Sequence, residues 1–303
     1  MTMKDVFSAA QMAVAKMDRI GDGTYARVYD NKTMSTLDIE RVAHVIVPNL
    51  TSQTREARVS DANDEPSQRF IFSAEHRSIR FRVSIVADED PCGNDDGDVF
   101  DQNSIGRSWK ASALPKALNA LQVALRDRRD EDAARVFNKA QTYAPTLGGD
   151  GVAMCSTHHP HRNGVWANTF ETQFDLGPST LQEALNRING RFVDDRGFRI
   201  IARGCKLIVP GAHSCIAHSA LDRLEDNEAT SAMDRTPIVW DALHNSGHWF
   251  VRTTIPGLMW YERTPMEFDV RMDTATGAVM IHGHERRVFQ CMDPRTVFGS
   301  FPS

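Results

Sequence analysis

The stretch Leu114-Pro-Lys-Ala-Leu-Asn-Ala-Leu-Gln-Val-Ala-Leu-Arg-Asp-Arg-Arg-Asp-Glu-Asp-Ala-Ala-Arg-Val-Phe-Asn-Lys-Ala140 decides how the rest of this 303-residue chain is read. Leu114, Leu118, Leu121, Leu125, Val136 and Ala140 fall on one stripe at 3.6-residue spacing, the mark of a helix with one buried face. Pro115 is tolerated in a first turn, and Asp127 to Asp132 reads as a solvated charged stretch. A helix over about 109–142 would span ~45 Å at 1.5 Å per residue, longer than an ordinary globular helix. The spacing predicts a structural spine.

Upstream, Ile79, Phe81, Val83 and Ile85 alternate with Arg80, Arg82 and Ser84, which predicts a strand from Arg77 to Ala87 with one buried and one cationic face. A second strand is expected over Arg69 to Ser73, and another apolar run from Val42 to Val47 ends at Pro48. Between them, Thr51 to Gln68 is polar and charged. A strand, a long polar excursion and a returning strand predict an extended two-stranded loop. Residues 1–35 read as an arm, with a short helical pattern (Ala9, Met12, Ala15) before Gly-containing polar sequence. Asp88 to Asp98 is an acidic, turn-rich linker.

Downstream, residues 144–180 are loop-rich. A helix opens on a capping box, Thr180 and Glu183, buries Leu181, Leu185 and Ile188, and stops at Gly190. A strand at Leu207 to Val209 breaks at Pro210-Gly211 into a helix carrying Ile216, Ala220 and Leu224. Short strands are expected near Ile238 to Trp240 and His248 to Val251. Phe268, Val270 and Met272, then Val279 and Ile281, alternate with polar residues on either side of a turn at Thr274 to Gly277, a hairpin pattern. A last strand-like run is Val288 to Cys291. Strands and helices mix without βαβ regularity or internal repeat, so the fold class is α+β.

Composition excludes several functions. With 41% hydrophobic residues and 15 Phe the chain is not disordered. Its 35 basic and 40 acidic residues give a formal charge of -5, which lacks the cationic footprint of a dedicated nucleic-acid binder. Five scattered cysteines with no C-x-x-C pair read as free thiols in a reducing compartment. Met1 to Ile20 carries charges and is no signal peptide, and nowhere do 18 apolar residues run together.

Candidate chemical motifs fail on context. Ile20 to Tyr29 looks like the glycine-rich loop of a protein kinase, but no Lys occurs between Lys32 and Lys110 and no HRD or DFG sequence follows. Cys155, His158, His159 and His161 sit within seven residues and are the candidate metal set. Pro160 stiffens that run, however, and one tight loop rarely supplies three tetrahedral ligands without a distant fourth. A calcium loop starting at Asp88 would have Cys92 and Val99 at ligand positions, so that pattern fails. Val209 to Cys215 is a strand–turn–helix with Ser214 but without G-x-S-x-G spacing. His282 and His284 share a strand face. The expectation is that the chain holds no catalytic site, cofactor or metal.

Segments in the middle and end of the chain, read in order, resemble a known family. They are Glu131 to Ala140, Gly149-Asp-Gly-Val-Ala-Met-Cys-Ser-Thr-His-His-Pro160, Leu207-Ile-Val-Pro210, Pro256-Gly-Leu-Met-Trp-Tyr261 and Glu285-Arg-Arg-Val-Phe289 with Asp293 and Phe298-Gly-Ser300. Their order and spacing resemble major capsid proteins of tailed bacteriophages, near the Mu-like major head subunit group, over about residues 108–303. The resemblance implies the Hong Kong 97-type (HK97-like) capsid fold. It divides the chain into an N-terminal arm (1–40), strands bearing the extended loop (41–87, tip about 51–68) and a peripheral domain (88–164, spine helix about 109–142). An axial domain (165–255), a peripheral-domain hairpin (256–292) and a return strand to the axial domain (293–303) complete it.

The function so implied is mechanical: pentamers and hexamers close an icosahedral shell around double-stranded DNA, with no bond made or broken. Implied partners are other copies of the chain, a separate scaffolding protein, a portal protein, a cement protein and packaged DNA bound without sequence specificity, and no membrane. The implied location is the virion, assembled in the host bacterial cytoplasm. Arg55, Arg58, Arg69, Arg80 and Arg82, with Asp88, Asp90, Asp95 and Asp96, are the candidate intersubunit ion pairs. Some relatives weld their extended loop through a Lys–Asn isopeptide bond; residues 33–109 contain no Lys, so a non-covalent shell is expected. The alternatives are a metal-dependent hydrolase using the His-rich loop, and an encapsulin-like shell protein on the same fold.

Overall fold

The structure, a computed structural model, describes residues 23–33, 39–41, 69–71, 75–83, 113–142, 150–225, 227–273 and 278–302. The apolar stripe forms one helix, α1 (Ala113–Asn138), which passes into turns up to Thr142. Leu121, Leu125, Ala133, Val136 and Phe137 are buried along it, as the periodicity requires. The charged stretch is not uniformly solvated. Arg129 and Asp132 are buried on the same stripe, Asp130 is half-buried, and Asp127, Arg128 and Glu131 are exposed.

Two four-stranded sheets carry the rest. The first has the order β1-β10-β11-β4, from β1 (Asp30–Thr33), β4 (Glu75–Val83), β10 (Leu258–Asp273) and β11 (Ala278–Cys291). The expected hairpin is therefore longer than its alternating part: it begins at Leu258, and the run at Val288 to Cys291 is the end of β11, not a separate strand. Its turn lies outside the described residues. β4 pairs antiparallel with β11, placing Arg80 opposite His282 and Arg77 opposite Glu285. β1 pairs parallel with the root of β10, Asp30 to Met259 through Thr33 to Glu262. Where β1 ends, β10 slips register between Glu262 and Glu267, and Pro265 sits in that bulge. A proline cannot donate to a ladder and is placed where the ladder is already interrupted.

The second sheet, β12-β9-β7-β8, combines β7 (Gly204–Val209), β8 (Ile238–Val239), β9 (Trp249–Thr253) and β12 (Val297–Ser300). Its strands are apolar without alternation because both faces are covered. Leu207, Val209, Trp249, Val251 and Phe298 face one core, with helices α2 (Pro178–Arg191) and α3 (Ser214–Asp222). Ile208, Phe250 and Val297 face another, shared with Phe137 of α1 and with Trp260 and Phe289 at the hairpin root. The root aromatics stack at 5.9 Å, and Tyr25 meets both edge-on.

Gly23 to Thr33 belongs to this core as well. Tyr25, Val28 and Tyr29 are buried, so this part of the polar N-terminal stretch is ordered within one subunit. Three local expectations are corrected. Gly177, not Thr180, is the N-cap of α2; Thr180 is three residues in and its hydroxyl accepts the Gly177 N–H at 2.8 Å, while Glu183 pairs with Arg187 one turn on. Gly190 lies inside α2, which runs to Arg191. On α3, Ala217, Ala220 and Leu221 are buried, whereas Ile216 is exposed. Two shorter pairs, β2 (Ile39–Arg41) with β3 (Arg69–Ile71) and β5 (His159–His161) with β6 (Gly164–Trp166), complete the described strands.

Candidate functional site

The His-rich loop sends its side chains to different places. His158 is exposed against the Thr157 hydroxyl. The His161 ring lies between Gly164 and Gly197, leaving no room for a Cβ at the latter. Cys155 is buried against Gly299, and burial together with nearby Cys291 pushes its thiol well up, which makes it inert. Among the described residues, no three His, Cys, Asp or Glu side chains gather as metal ligands.

His159 is fully buried, and both its ring nitrogens face acceptors. Nδ1 stands 2.5 Å from Asp150 Oδ2, and Nε2 stands 2.9 Å from Asn168 Oδ1. The orientation of the Asn168 amide follows from its neighbours: its nitrogen shares two protons among the carbonyls of Met154, Pro294 and Val297, and its oxygen also accepts the Ser156 N–H. Trp166 stacks on the imidazole at 4.6 Å. Burial works to raise the Asp150 carboxyl, but the His159 hydrogen bond and charge outweigh it and hold the group below its usual range. This knot ties the chain after α1 to the β5–β6 hairpin and to the segment entering β12. A structural job uses every hydrogen-bonding position the imidazole has.

A second buried polar group joins α1 to the hairpin and β4. Asp132 is met by Arg77 at 2.9 Å, Arg287 at 3.5 Å and Arg128 at 3.7 Å. Glu285 is met by Arg129 at 2.7 Å and also by Arg287. Arg129, Asp132, Glu285 and Arg287 are all buried, so three elements are locked by charges that have no water to fall back on. The sequence reading missed this cluster.

The kinase-like segment also has a structural explanation. The Thr24 and Tyr25 N–H groups, which a phosphate loop would offer to a nucleotide, donate to Asp130 of α1 at 3.1 and 2.8 Å. Burial still raises the Asp130 carboxyl despite these two donors. The adjoining cleft is lined by Asp127, Asp130, Glu131, Asp241 and Arg126. The elbow-like Ser214 is simply the first residue of α3. No helix among the described residues is long and apolar enough to cross a membrane.

Of the candidate intersubunit residues, Arg80 is exposed on β4, and the backbones of Arg69 and Arg82 lie in β3 and β4. Arg55, Arg58, Asp88, Asp90, Asp95 and Asp96 fall outside the described residues, as does the loop tip at 51–68.

No protein-family model matches the chain, and no curated protein matches it by sequence. Solved structures do. A virus-like particle from Pyrococcus furiosus is 10% identical with a TM-score of 0.50, over 97% of this chain and 96% of that one. The capsid of an empty GTA particle is 11% identical with a TM-score of 0.51, over 91% and 88% of the two chains. The procapsid of bacteriophage JBD30 is 10% identical with a TM-score of 0.51, over 99% of this chain and 75% of that chain. At such identity the likeness is one of fold. The chain has the Hong Kong 97-type capsid fold, with α1 as its long helix.

Proposed function

We propose that this chain is the major capsid protein of a tailed bacteriophage, assembling as pentamers and hexamers into an icosahedral shell around double-stranded DNA. The observation that carries the reading is the end-to-end likeness in fold to the chains of a virus-like particle, a capsid and a procapsid, over 91–99% of this chain. In this reading α1 and the β10–β11 hairpin make the peripheral domain, and the second sheet with α2 and α3 makes the axial domain. The strands flanking residues 51–68 carry the extended loop, and the candidate Arg and Asp residues there pair between subunits. The chain performs no catalysis, holds no cofactor, and works in the virion after assembly in the host cytoplasm. A scaffolding protein, a portal and a cement protein are the expected partners. DNA is enclosed rather than gripped, consistent with a formal charge of -5.

Sedimentation velocity at two concentrations, with and without chelator, tests this. Pentamers, hexamers or closed particles indifferent to chelator are expected. A compact monomer or dimer that changes on chelation would favour the hydrolase instead. The second reading on the same fold is an encapsulin-like shell around protein cargo; nucleic acid or protein inside purified particles separates the two.

A further inference from the structure

Six large apolar side chains are exposed among the described residues, and three of them lie on or next to two hairpin tips. Val165 is 59% exposed on β6, Phe198 55% on the turn at Gly197, and Ile201 84% just beyond it. The tips are fastened together: the Arg162 N–H donates to the Asp195 carbonyl at 2.9 Å, and the Asn163 amide to the Arg196 carbonyl at 3.3 Å. They are also tied to the β12 edge of the second sheet, because Arg295, just before β12, reaches the Val193 carbonyl and Asp195. The chain from Arg191 to Arg199 carries three Arg against two Asp, one of which, Asp195, is held by Arg295; Arg203, next to β7, belongs to the other side, where it pairs with Glu228. The result is an apolar, basic edge.

The opposite edge of the same sheet has the opposite character. β8 is the other outer strand, and the chain leading to it, 222–236, carries five acidic residues against two Arg, of which Glu228 is paired with Arg203 of the same copy. The Asp234 N–H donates to the Cys205 carbonyl at 2.9 Å, which lays this segment alongside β7 on the β8 side. Asp222, Glu225 and Asp234 are exposed, and α3, which ends at Asp222, presents the 45%-exposed Ile216.

Each edge meeting its own copy across a twofold axis would bring like charges together, which disfavours that pairing. The two edges can pair with each other, head to tail, and such heterologous contacts generate rings when the rotation closes. We infer that the Val165–Phe198–Ile201 edge of one copy, flanked by Arg162 and Arg199, docks on the acidic β8-side flank of a second copy as the ring-forming contact within a capsomer. This rests on the shell reading. Apolar area supplies the burial, and the opposed charges set the polarity and disfavour back-to-back association.

The test uses reciprocal charge reversal in the full chain, read by sedimentation velocity and by electron microscopy of particles. Arg162→Glu with Arg199→Glu, Asp222→Arg with Glu225→Arg, and Ile201→Asp should each lower the assembled fraction at least tenfold while the far-ultraviolet dichroism of the monomer stays unchanged. Combining the two charge reversals in one chain should restore rings. If the unsubstituted protein assembles and the single reversals assemble equally well, the contact is wrong and the shell reading stands. Failure of the combined reversal to restore rings overturns the pairing. An unsubstituted protein that forms no oligomer, with or without a scaffold partner, overturns the shell reading and this contact with it.

Discussion

Asp132 is reached by arginines from β4, β11 and its own helix, and it is nearly out of water. Removing one member of such a cluster leaves a buried charge uncompensated, so Asp132→Asn or Glu285→Gln should cost about 3–5 kcal/mol in denaturant unfolding. Replacing Arg129, Glu285 and Arg287 together by apolar residues of similar volume should cost far less, since no buried charge of that set is left and Asp132 keeps Arg77 and Arg128. Asp150 adds a pH dependence. Its folded pKa lies below the unfolded one, so its contribution is full above about pH 4 and drains as pH falls below that value. Stability measured from pH 7 to pH 3 should show an acid limb that is shallower in Asp150→Asn, a variant also less stable at pH 7. The charge cluster was missed because Asp127 to Asp132 reads as a solvated stretch, although Arg129 and Asp132 keep the helical spacing of Leu125 and Val136; their partners, more than 150 residues away in the case of Glu285, carry no local signal. His159 stood out in the sequence only as part of a possible metal set, because nothing nearby in sequence announces Asn168 as its second acceptor.

The elements follow their periodicities closely, and their ends do not. α1 and the hairpin were visible from 3.6- and 2-residue patterns, since each repeats often enough to outweigh any single residue. The root of the hairpin was hidden, because Leu258 to Tyr261 is apolar on both faces, Leu258 and Trp260 toward the aromatic core and Met259 and Tyr261 against Met292 and Val288. Gly257 marks the passage from the second sheet into β10. Its φ is +152°, and a Cβ there would stand 2.6 Å from Thr296 and 3.1 Å from the Asp293 backbone nitrogen. Gly257→Val should therefore destabilise the chain by about 1–3 kcal/mol, through a strained backbone and a close approach that cannot relax. Thermal unfolding of the isolated subunit checks this. Along β11, amide exchange should be slowest near Phe289 and Cys291, in the core, and faster toward the distal turn beyond Ile281.

At the scale of the molecule, the fold class and order of elements could be read from the sequence, and the layering could not. β1 pairs with β10 across more than 220 residues, and the second sheet is buried on both faces by segments drawn from the whole chain. Such long-range pairing leaves no local trace. The proposed function predicts that shortening residues 51–68 by about half abolishes particle formation and leaves subunit melting unchanged. It predicts equally that boiled particles run as single subunits on a denaturing gel, because residues 33–109 offer no Lys for a weld; a ladder would contradict it.

The β10–β11 hairpin has a mechanical consequence. Paired in 13 registered positions, it extends about 45 Å at ~3.4 Å per residue. Its root is held in the Trp260–Phe289 stack. The ladder is interrupted around Pro265, just past the point where β1 stops pairing, and at that section β4 and the charges that tie Glu285 and Arg287 to α1 take over the bracing. A load on the tip therefore bends the part beyond this charged brace and leaves the aromatic root undisturbed. In the proposed shell, identical tiles on a closed curved surface meet their neighbours at several angles, and the outer hairpin can absorb that difference without repacking either core.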